Sequence, residues 1–392
     1  MERIGIYGGT FNPPHVGHIR GARYAIDALG LRKLLLIPSC IAPHKALPSN
    51  SPTPDQRAEM LTIAKDEDME VCPIELNRGG TSYTYETVET LAEQYLNREL
   101  VLLMGTDMFL SFLTWREPER ILKKASLGVL YRGDGGETEQ IAAQKTLLEG
   151  LGATVYLVEN PVTAISSTQL RRLLMFRCAG DFLPDGVEAY IRQHGLYDTA
   201  RDCCNLPIEE LEQVVVGLLK PNRVAHVLGC RDTAMALAER WGADVTDAAR
   251  AGLLHDITKA LDAAGQLTLC REYGIVLDGF SVKYPKTLHA LTGSLVADRI
   301  FGENQCVVDA IACHTTGKAN MTVLEKIIYV ADYMEPNRDF PGVDKLRRLA
   351  YENLDKALKT GLEMTLAMLR QQEQDISPAS AEALAFLEQT GV

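Results

Sequence analysis

The sequence has 392 residues, of which 46% are hydrophobic and 23% charged, a composition typical of a soluble globular protein too long for one ordinary core. Its net charge of −12 argues against a nucleic-acid partner, because phosphate-backbone binding requires clustered lysine and arginine. It does not exclude small nucleotides, which need only a local basic pocket. No apolar run is long enough to span a bilayer, so no membrane association is expected.

A strand-like run begins at residue 3, so no signal peptide is expected. The nine cysteines include no C-x-x-C spacing, and such a set is typical of reduced thiols rather than of a disulfide framework or a cysteine zinc site. We therefore expect a cytoplasmic protein.

The first half alternates β-rich runs with amphipathic helical patterns. Helices are predicted over Val16–Leu29, Asp55–Lys65 and Tyr83–Tyr95. The predicted strands cover residues 3–7, 34–38, 71–75, 100–104, 127–131 and 154–158. Continuous apolar strands separated by helices indicate an α/β fold, with a doubly wound parallel sheet covered on both faces.

The pattern changes after Tyr197. From Ile208 onward the sequence has helical periodicity and almost no strand pattern, so an all-α region is predicted. Residues 199–207 are polar and irregular and end in a proline, which is typical of a linker. We therefore predict domains at 1–198 and 208–392, joined by a linker at 199–207.

The string GIYGGTFNPPHVGH, residues 5–18, follows a predicted strand and precedes a predicted helix. Gly8 and Gly9 allow the backbone to approach a ligand closely. The helix offers unpaired N–H groups and the positive end of its dipole to an anion. His15 and His18 share one face of its first turn. These features predict a phosphate site, and the alternative is a glycine turn before a capped helix with two surface histidines.

This string resembles the H-x-G-H motif of the nucleotidylyltransferases, and ISSTQLRR at 165–172 resembles their second motif. Further stretches are similar to nicotinate-nucleotide adenylyltransferases, namely residues 43–45, 81–87, 105–107, 112–115 and 190–197. The resemblance covers about residues 1–198 and implies a Rossmann-like fold. It also implies a reaction in which the phosphate of nicotinate mononucleotide attacks the α-phosphorus of ATP in line. Deamido-NAD and pyrophosphate are the products, with no covalent intermediate.

The resemblance assigns roles to individual residues, with Mg²⁺ accompanying ATP. The implied catalytic residues are His15, His18, Lys45 and Arg171. The implied ATP and phosphate ligands are Gly8, Gly9, Thr10, Phe11, Asp107, Ile165, Ser166, Ser167, Thr168 and Arg171. Thr84, Trp115 and Arg132 are implied on the nicotinate side, although the family's Arg-Pro-Gly turn is YRGDG here, with Arg132 kept and the proline lost.

Alternatives stay open within this superfamily and at single positions. Phosphopantetheine adenylyltransferases and cytidylyltransferases are the rival activities, and residues 81–87 and 112–115 favour the nicotinate acceptor. Trp115 could be an ordinary core aromatic. Lys45 and Asp107 could be ordinary solvated charges.

In the second half, titratable groups recur inside apolar helical patterns, as in AGLLHDITK at 251–259. A buried carboxylate costs several kcal/mol unless it is paired or bound to a metal. The residues in question supply six nitrogen and oxygen ligands, suited to iron, manganese, cobalt or zinc rather than magnesium. They are His226, His255, Asp256, His289, His314 and Asp332. We predict a two-metal site centred on the His-Asp pair, with the aspartate bridging.

This half, over about residues 208–385, resembles HD-domain phosphohydrolases. The ordered ligand set, with ADYMEPNR at 331–338, is similar to symmetrical diadenosine tetraphosphate hydrolases. The resemblance implies hydrolysis of diadenosine tetraphosphate to two ADP by two divalent transition-metal ions, iron foremost, that polarise phosphate and activate water. Asp256 would be catalytic, and Lys259 and Arg338 would hold substrate phosphates, whereas Lys318 is expected to be an ordinary surface charge.

Two other interpretations of this half stay open. It could hydrolyse another nucleotide, or it could be a non-catalytic module for nucleotide sensing or dimerisation. Retention of all six ligands favours catalysis. The predicted partners are therefore ATP, nicotinate mononucleotide and diadenosine tetraphosphate, and a homo-oligomer is left open.

Overall fold

A computed structural model describes residues 1–42, 47–48, 50–131, 136–160 and 165–391. The chain forms two compact units, Met1–Arg201 and Asp202–Val392, and the division falls within residues 199–207.

The first unit is built on a parallel sheet that has six strands among its described residues, in the order β3-β2-β1-β4-β5-β6. The strands are β1 (Arg3–Gly9), β2 (Leu31–Pro38), β3 (Met69–Val71), β4 (Glu99–Gly105), β5 (Ala125–Tyr131) and β6 (Val155–Glu159). In the central strand, Gly5 lies between Leu34 of β2 and Val101 of β4. The direction of strand order reverses between β1 and β4, so a crevice lies beyond their carboxyl ends, where such sheets bind ligands.

Nine helices of the described residues cover this sheet. They are α1 (Val16–Leu29), α2 (Pro54–Ala64), α3 (Ile74–Arg78), α4 (Thr84–Gln94), α5 (Thr106–Leu110), α6 (Pro118–Leu122), α7 (Thr138–Gly150), α8 (Ser167–Met175) and α9 (Val187–Gln193). Helix α1 buries an apolar stripe that includes Ile19, Ala22 and Ile26, and it ends at Gly30, whose φ of 59° lies in the left-handed region. The α/β prediction is confirmed.

One predicted strand is partly wrong. Residues 71–75 were expected to be extended, but β3 ends at Val71 and α3 begins at Ile74. Pro73 lies between them, and proline has no N–H with which to continue a strand ladder. The strand is therefore a three-residue edge.

The second unit is helical throughout its described residues, and the all-α prediction is confirmed. Its helices are α10 (Ile208–Leu218), α11 (Pro221–Trp241), α12 (Val245–Leu254), α13 (Ala263–Glu272), α14 (Gly279–Lys283), α15 (Leu288–Arg299), α16 (Gln305–Cys313), α17 (Val323–Met334), α18 (Val343–Glu352), α19 (Leu354–Gln371) and α20 (Pro378–Gln389). Helix α17 packs against α11, α12, α16 and α19. Its residues from Ile327 to Ala331 are buried in succession, as in a helix surrounded by others.

Among the described residues, no helix combines the length and apolar character needed to cross a membrane.

Candidate active sites

The loop after β1 lies at the carboxyl end of the sheet, where the strand order reverses. A Cβ added to Gly8 would meet no atom within 4 Å, whereas one added to Gly9 would lie 3.2 Å from the Phe11 ring. Neither glycine has a positive φ, so their small size rather than their backbone freedom matters here. Phe11 is itself buried, so only its backbone is available to a phosphate.

The rings of His15 and His18 lie against each other at the start of α1, with centroids 3.5 Å apart and planes tilted by 30°. The His15 backbone N–H donates to Nδ1 of His18 at 3.2 Å, so His18 carries its proton on Nε2 and can donate it to a phosphate. Nδ1 of His15 is buried and has no hydrogen-bond partner among the described residues. Burial lowers the pKa of His15 to about 4, which keeps its ring neutral at pH 7.

Helix α8 joins the second motif to the first. Arg171 donates from Nη1 to the Asn12 carbonyl at 2.8 Å and from Nη2 to Oγ1 of Thr168 at 3.1 Å. Ser167 donates to the Pro13 carbonyl at 3.4 Å. Two motifs more than 150 residues apart in sequence therefore meet at one loop.

Other second-motif residues have local roles. The Ser166 hydroxyl caps α8 by accepting from the Gln169 N–H. Ile165 is buried, so its side chain packs in the interior rather than facing a ligand. Thr10 contributes its carbonyl oxygen to a hydrogen bond from Arg57 at 2.5 Å.

The remaining predicted substrate residues lie on separate elements. Thr84 is the first residue of α4, and Asp107 is exposed in α5, just after β4. Trp115 is partly buried, with its ring 5.4 Å from that of Phe112. Among the described residues, no hydrogen bond joins Thr84, Asp107 or Trp115 to His15 or His18. Lys45 and Arg132 lie outside the described residues.

Arg57 is a site-forming residue that the sequence did not indicate. It is 1% exposed and lies on α2. Its guanidinium donates to the carbonyls of Thr10 at 2.5 Å and Ser39 at 2.6 Å. Those carbonyls follow β1 and β2, so Arg57 ties the two strand ends together. A single arginine in a helical pattern is normally exposed to solvent. The burial of Arg57 and its contacts with the strand ends could therefore not be predicted from the sequence.

In the second unit the six predicted ligands converge. His226, His289 and Asp332 lie within α11, α15 and α17. His255 and His314 directly follow α12 and α16, and Asp256 follows His255, so these three lie just beyond the ends of the helices that carry their apolar patterns. The imidazoles of His255 and His314 donate to carbonyls in the last turns of these helices, those of Gly252 and Ile311.

Asp256 lies at the centre of this cluster and is 1% exposed. Its Oδ2 is 3.7 Å from Nε2 of His226 and 3.6 Å from Nε2 of His255. Its Oδ1 is 3.4 Å from Nε2 of His289 and 3.8 Å from Nε2 of His314, and no described residue donates a hydrogen bond to it. Each oxygen therefore faces a different pair of histidines, as a bridging carboxylate would.

The four imidazoles are oriented by hydrogen bonds at Nδ1. The acceptors are the Gly252 carbonyl for His255 at 2.8 Å, the Lys286 carbonyl for His289 at 2.7 Å, the Ile311 carbonyl for His314 at 2.7 Å, and the Glu335 carboxylate for His226 at 3.1 Å. Carbonyls and carboxylates only accept, so each Nδ1 carries the proton and each Nε2 offers a lone pair.

The Nε2 lone pairs of these histidines are placed where they could bind a cation together. Nε2 of His226 lies 3.3 Å from Nε2 of His255 and 3.1 Å from Oδ1 of Asp332. Two lone pairs and a carboxylate repel one another at such distances unless a positive charge lies between them. Among the described residues, two groups have ligand atoms within 4.8 Å of one another: His226, His255 and Asp332, and His255, Asp256 and His314. The residues present therefore form a site suited to divalent metal ions.

The protonation states of the histidines and of Asp332 are those that metal binding requires. Burial lowers the pKa of His255 to about 4 and that of His289 to about 3, so both are neutral at pH 7. Burial opposes ionisation of Asp332, but the Arg338 guanidinium beside it helps to hold the pKa of this carboxyl well below its usual range. Neutral imidazoles and an ionised carboxylate are the forms that bind metals.

Three cations border the cluster. Lys259 places Nζ 2.8 Å from Nε2 of His289, and Arg338 places Nη2 2.6 Å from Oδ1 of Asp332. Arg223, which the sequence analysis missed, is paired with Asp256. Arg223 lies one helical turn before His226, and this spacing could have indicated that it borders the ligands. Lys318 instead pairs with the buried Glu325 at 2.7 Å.

Two family profiles match the chain. The cytidylyltransferase-like profile matches residues 6–173, and the HD-domain profile matches residues 223–337. The chain is 36% identical over 198 residues to a probable nicotinate-nucleotide adenylyltransferase of Dictyoglomus thermophilum, covering 50% of this chain and 99% of the relative. It is 37% identical over 174 residues to the symmetrical bis(5'-nucleosyl)-tetraphosphatase of Bacillus subtilis, covering 43% of this chain and 91% of the relative.

Among solved structures, a "predicted HD superfamily hydrolase involved in NAD metabolism" from Clostridium acetobutylicum is 35% identical. The match covers 47% of this chain and 98% of that chain, with a TM-score of 0.46. Together, the matches by sequence identity place the first half of the chain in the nicotinate-nucleotide adenylyltransferase family and the second half in the HD-domain symmetrical bis(5'-nucleosyl)-tetraphosphatase family.

Proposed function

We propose that the chain is a bifunctional enzyme acting on small nucleotides, with functional domains at 1–198 and 208–392 and a linker at 199–207. The first domain transfers AMP from ATP to nicotinate mononucleotide, giving deamido-NAD and pyrophosphate. The second hydrolyses diadenosine tetraphosphate symmetrically to two ADP. Their family relatives support the two reaction classes.

The observation that carries the first activity is the histidine pair at the carboxyl end of β1, joined through the motif loop to Arg171. In this proposal, His18 donates its Nε2 proton to phosphate oxygens of ATP, which enters with Mg²⁺. Thr10, Ser167 and Arg171 hold the triphosphate, and Arg171 can grip phosphate bidentately. Catalysis follows from holding two anions in line and stabilising the developing charge.

The acceptor side of this site is also a proposal. Thr84 and Trp115 form the nicotinate pocket with Arg132, Asp107 meets the adenosine, and Lys45 lies near the reacting phosphates. Trp115 is partly exposed beside Phe112, and in this proposal its ring stacks on the pyridine ring of the acceptor.

The test of the first activity is a panel of acceptors with ATP: nicotinate mononucleotide, its amide and phosphopantetheine. Pyrophosphate release is expected with the nicotinate compound. The change His18→Ala should lower kcat by about 10²–10³-fold, the usual effect of losing one transition-state donor. The matched control is His194→Ala, since His194 is exposed in the same unit and stacks on Tyr190. Lack of turnover of nicotinate mononucleotide would refute the assignment.

The observation that carries the second activity is the position of Asp256, whose two oxygens face different histidine pairs. We propose that two divalent transition-metal ions, iron foremost, are held by His226, His255, Asp256, His289, His314 and Asp332. When bound, such ions supply Lewis acidity to a phosphate oxygen and lower the pKa of water. Lys259 and Arg338, which border the ligands, hold the remaining phosphates of the substrate.

The test of the second activity combines elemental analysis of the purified chain with product analysis. We expect two metal ions per chain, and ADP as the sole nucleotide product from diadenosine tetraphosphate. Asp256→Asn should abolish hydrolysis and lower metal content while sparing adenylyl transfer. Asp298→Asn is the control, because Asp298 is exposed on α15. Binding without turnover by the metal-loaded chain would support a sensing module instead, and faster turnover of another nucleotide would reassign the substrate.

A further inference from the structure

His226 differs from the other three histidines in how it is held. His255 and His314 donate to carbonyls in the last turns of α12 and α16, and His289 donates to the Lys286 carbonyl, which lies just before α15 begins. His226 lies in the interior of α11, where carbonyls are taken by the helix. It therefore needs an acceptor from another element.

That acceptor is Glu335, the residue that directly follows α17 and is 1% exposed. Its Oε1 accepts from Nδ1 of His226 at 3.1 Å. Its Oε2 accepts from the Asn337 backbone N–H at 2.7 Å and from the Asn337 side-chain amide at 2.8 Å. Both carboxylate oxygens of Glu335 thus accept hydrogen bonds, and these bonds fix the plane of the carboxylate.

The turn that carries Glu335 is clamped from α18. Arg347 donates to the carbonyls of Met334 at 2.9 Å, Glu335 at 3.0 Å and Arg338 at 2.8 Å. Because one guanidinium binds three carbonyls of the turn, the position of Glu335 is set by the fold rather than by His226 alone.

Helix α11 is shaped to receive this carboxylate. Gly229 lies three residues after His226, and a Cβ there would lie 2.5 Å from Oε2 of Glu335 and 3.0 Å from Nδ2 of Asn337. Any side chain at 229 would therefore push Glu335 away. A glycine in a helix interior destabilises the helix relative to alanine, and here the carboxylate occupies the space that the missing side chain leaves.

We propose that Glu335 is the positioning residue that fixes the orientation and tautomer of His226 for metal binding, and that Gly229 is required to admit it. The inference deepens the proposed metal site and depends on it for its functional meaning. Partners of this kind typically contribute 10–100-fold to metal affinity.

The test uses the full chain, stripped of metal and titrated with Co²⁺ against a competing chelator. Glu335→Gln places an NH₂ group against either the His226 proton or the Asn337 donors, so Co²⁺ affinity should fall by about 10–100-fold. Gly229→Ala should lower it in the same direction without removing any polar group, and Asn337→Ala offers a milder variant. The control is Glu303→Gln, which alters a buried carboxylate paired with Arg250 at 2.6 Å.

A second readout follows the His226 ring by ¹⁵N NMR in the metal-free chain. The wild type should carry its proton on Nδ1, and both Glu335→Gln and Gly229→Ala should shift the ring toward a mixture of tautomers. Wild-type Co²⁺ affinity and an unchanged tautomer in both variants would overturn the inference. If the wild type binds no Co²⁺, the proposed metal site fails, whereas the tautomer measurement still decides the positioning role.

Discussion

At the scale of single residues, His15 is buried, and its Nδ1 has no hydrogen-bond partner within the part of the chain that the structure describes. An unfolded chain protonates this histidine near its ordinary pKa of 6.5, whereas the folded chain resists protonation until about pH 4. Between these values the unfolded state binds more protons, so the contribution of His15 to stability falls as the pH is lowered through this window. Above pH 6.5 both states are neutral at this position and the contribution is complete.

We therefore predict that His15 does not titrate between pH 7.5 and about 5 in the folded chain, given its pKa of about 4. An NMR titration of the histidine ring signals tests this, with His15→Gln used for assignment. The exposed His194 provides an internal reference in the same unit. A His15 midpoint near 6.5 would contradict the role of burial.

Arg171 is a second residue whose shape matters as much as its charge. Its two terminal nitrogens reach different acceptors, Asn12 and Thr168, which a lysine ammonium cannot do from one position. A hydrogen bond of a charged group contributes about 1.5–3 kcal/mol. Arg171→Lys should therefore lower kcat/KM for ATP by about 10–100-fold. Steady-state kinetics test this, with Arg192→Lys at an exposed ion pair as control, and equal losses in both variants would count against it.

At the scale of elements, the ends of β1 and β2 depend on α2. Arg57→Met would leave the Thr10, Ser39 and Cys40 carbonyls without their donor, and each unpaired buried group costs about 1–3 kcal/mol. We expect a loss of roughly 3 kcal/mol or more in the stability of the first unit. Calorimetry of the full chain should show one transition lowered and the other unchanged. Arg20→Met, on an exposed position of α1, should move neither, and an unmoved first transition in Arg57→Met would refute the role.

Element boundaries illustrate what local patterns predict. The apolar stripe and the glycine after it predict α1 with its observed limits, because both the periodicity and the stop signal are local. Residues 71–75 were wrongly predicted to form one strand, because their β-rich composition was given more weight than the proline at position 73. The positions of His255 and His314 after their helices also escaped prediction, because an apolar pattern does not mark where the hydrogen-bond ladder stops.

At the scale of the whole molecule, each unit holds its own candidate site, with no residue of one site drawn from the other unit among the described residues. We predict that residues 1–201 and 202–392, produced separately, each keep their activity. Turnover by each piece, compared with the full chain at equal concentration, is the measurement. Loss of most turnover by either piece would mean that the fusion is required for catalysis rather than for co-localisation.

The sequence alone determined the α/β and all-α division, the glycine–histidine motif that is proposed to bind phosphate, and the six candidate ligands. Those features follow from periodicity, spacing and the rarity of titratable groups in apolar runs, all of which are readable along the chain. Only the tertiary structure decided that the oxygens of Asp256 face different histidine pairs, that Arg57 joins two strand ends, and that Glu335 holds His226 across 109 residues of sequence. Such contacts join distant segments whose approach depends on packing, and no local pattern encodes that approach.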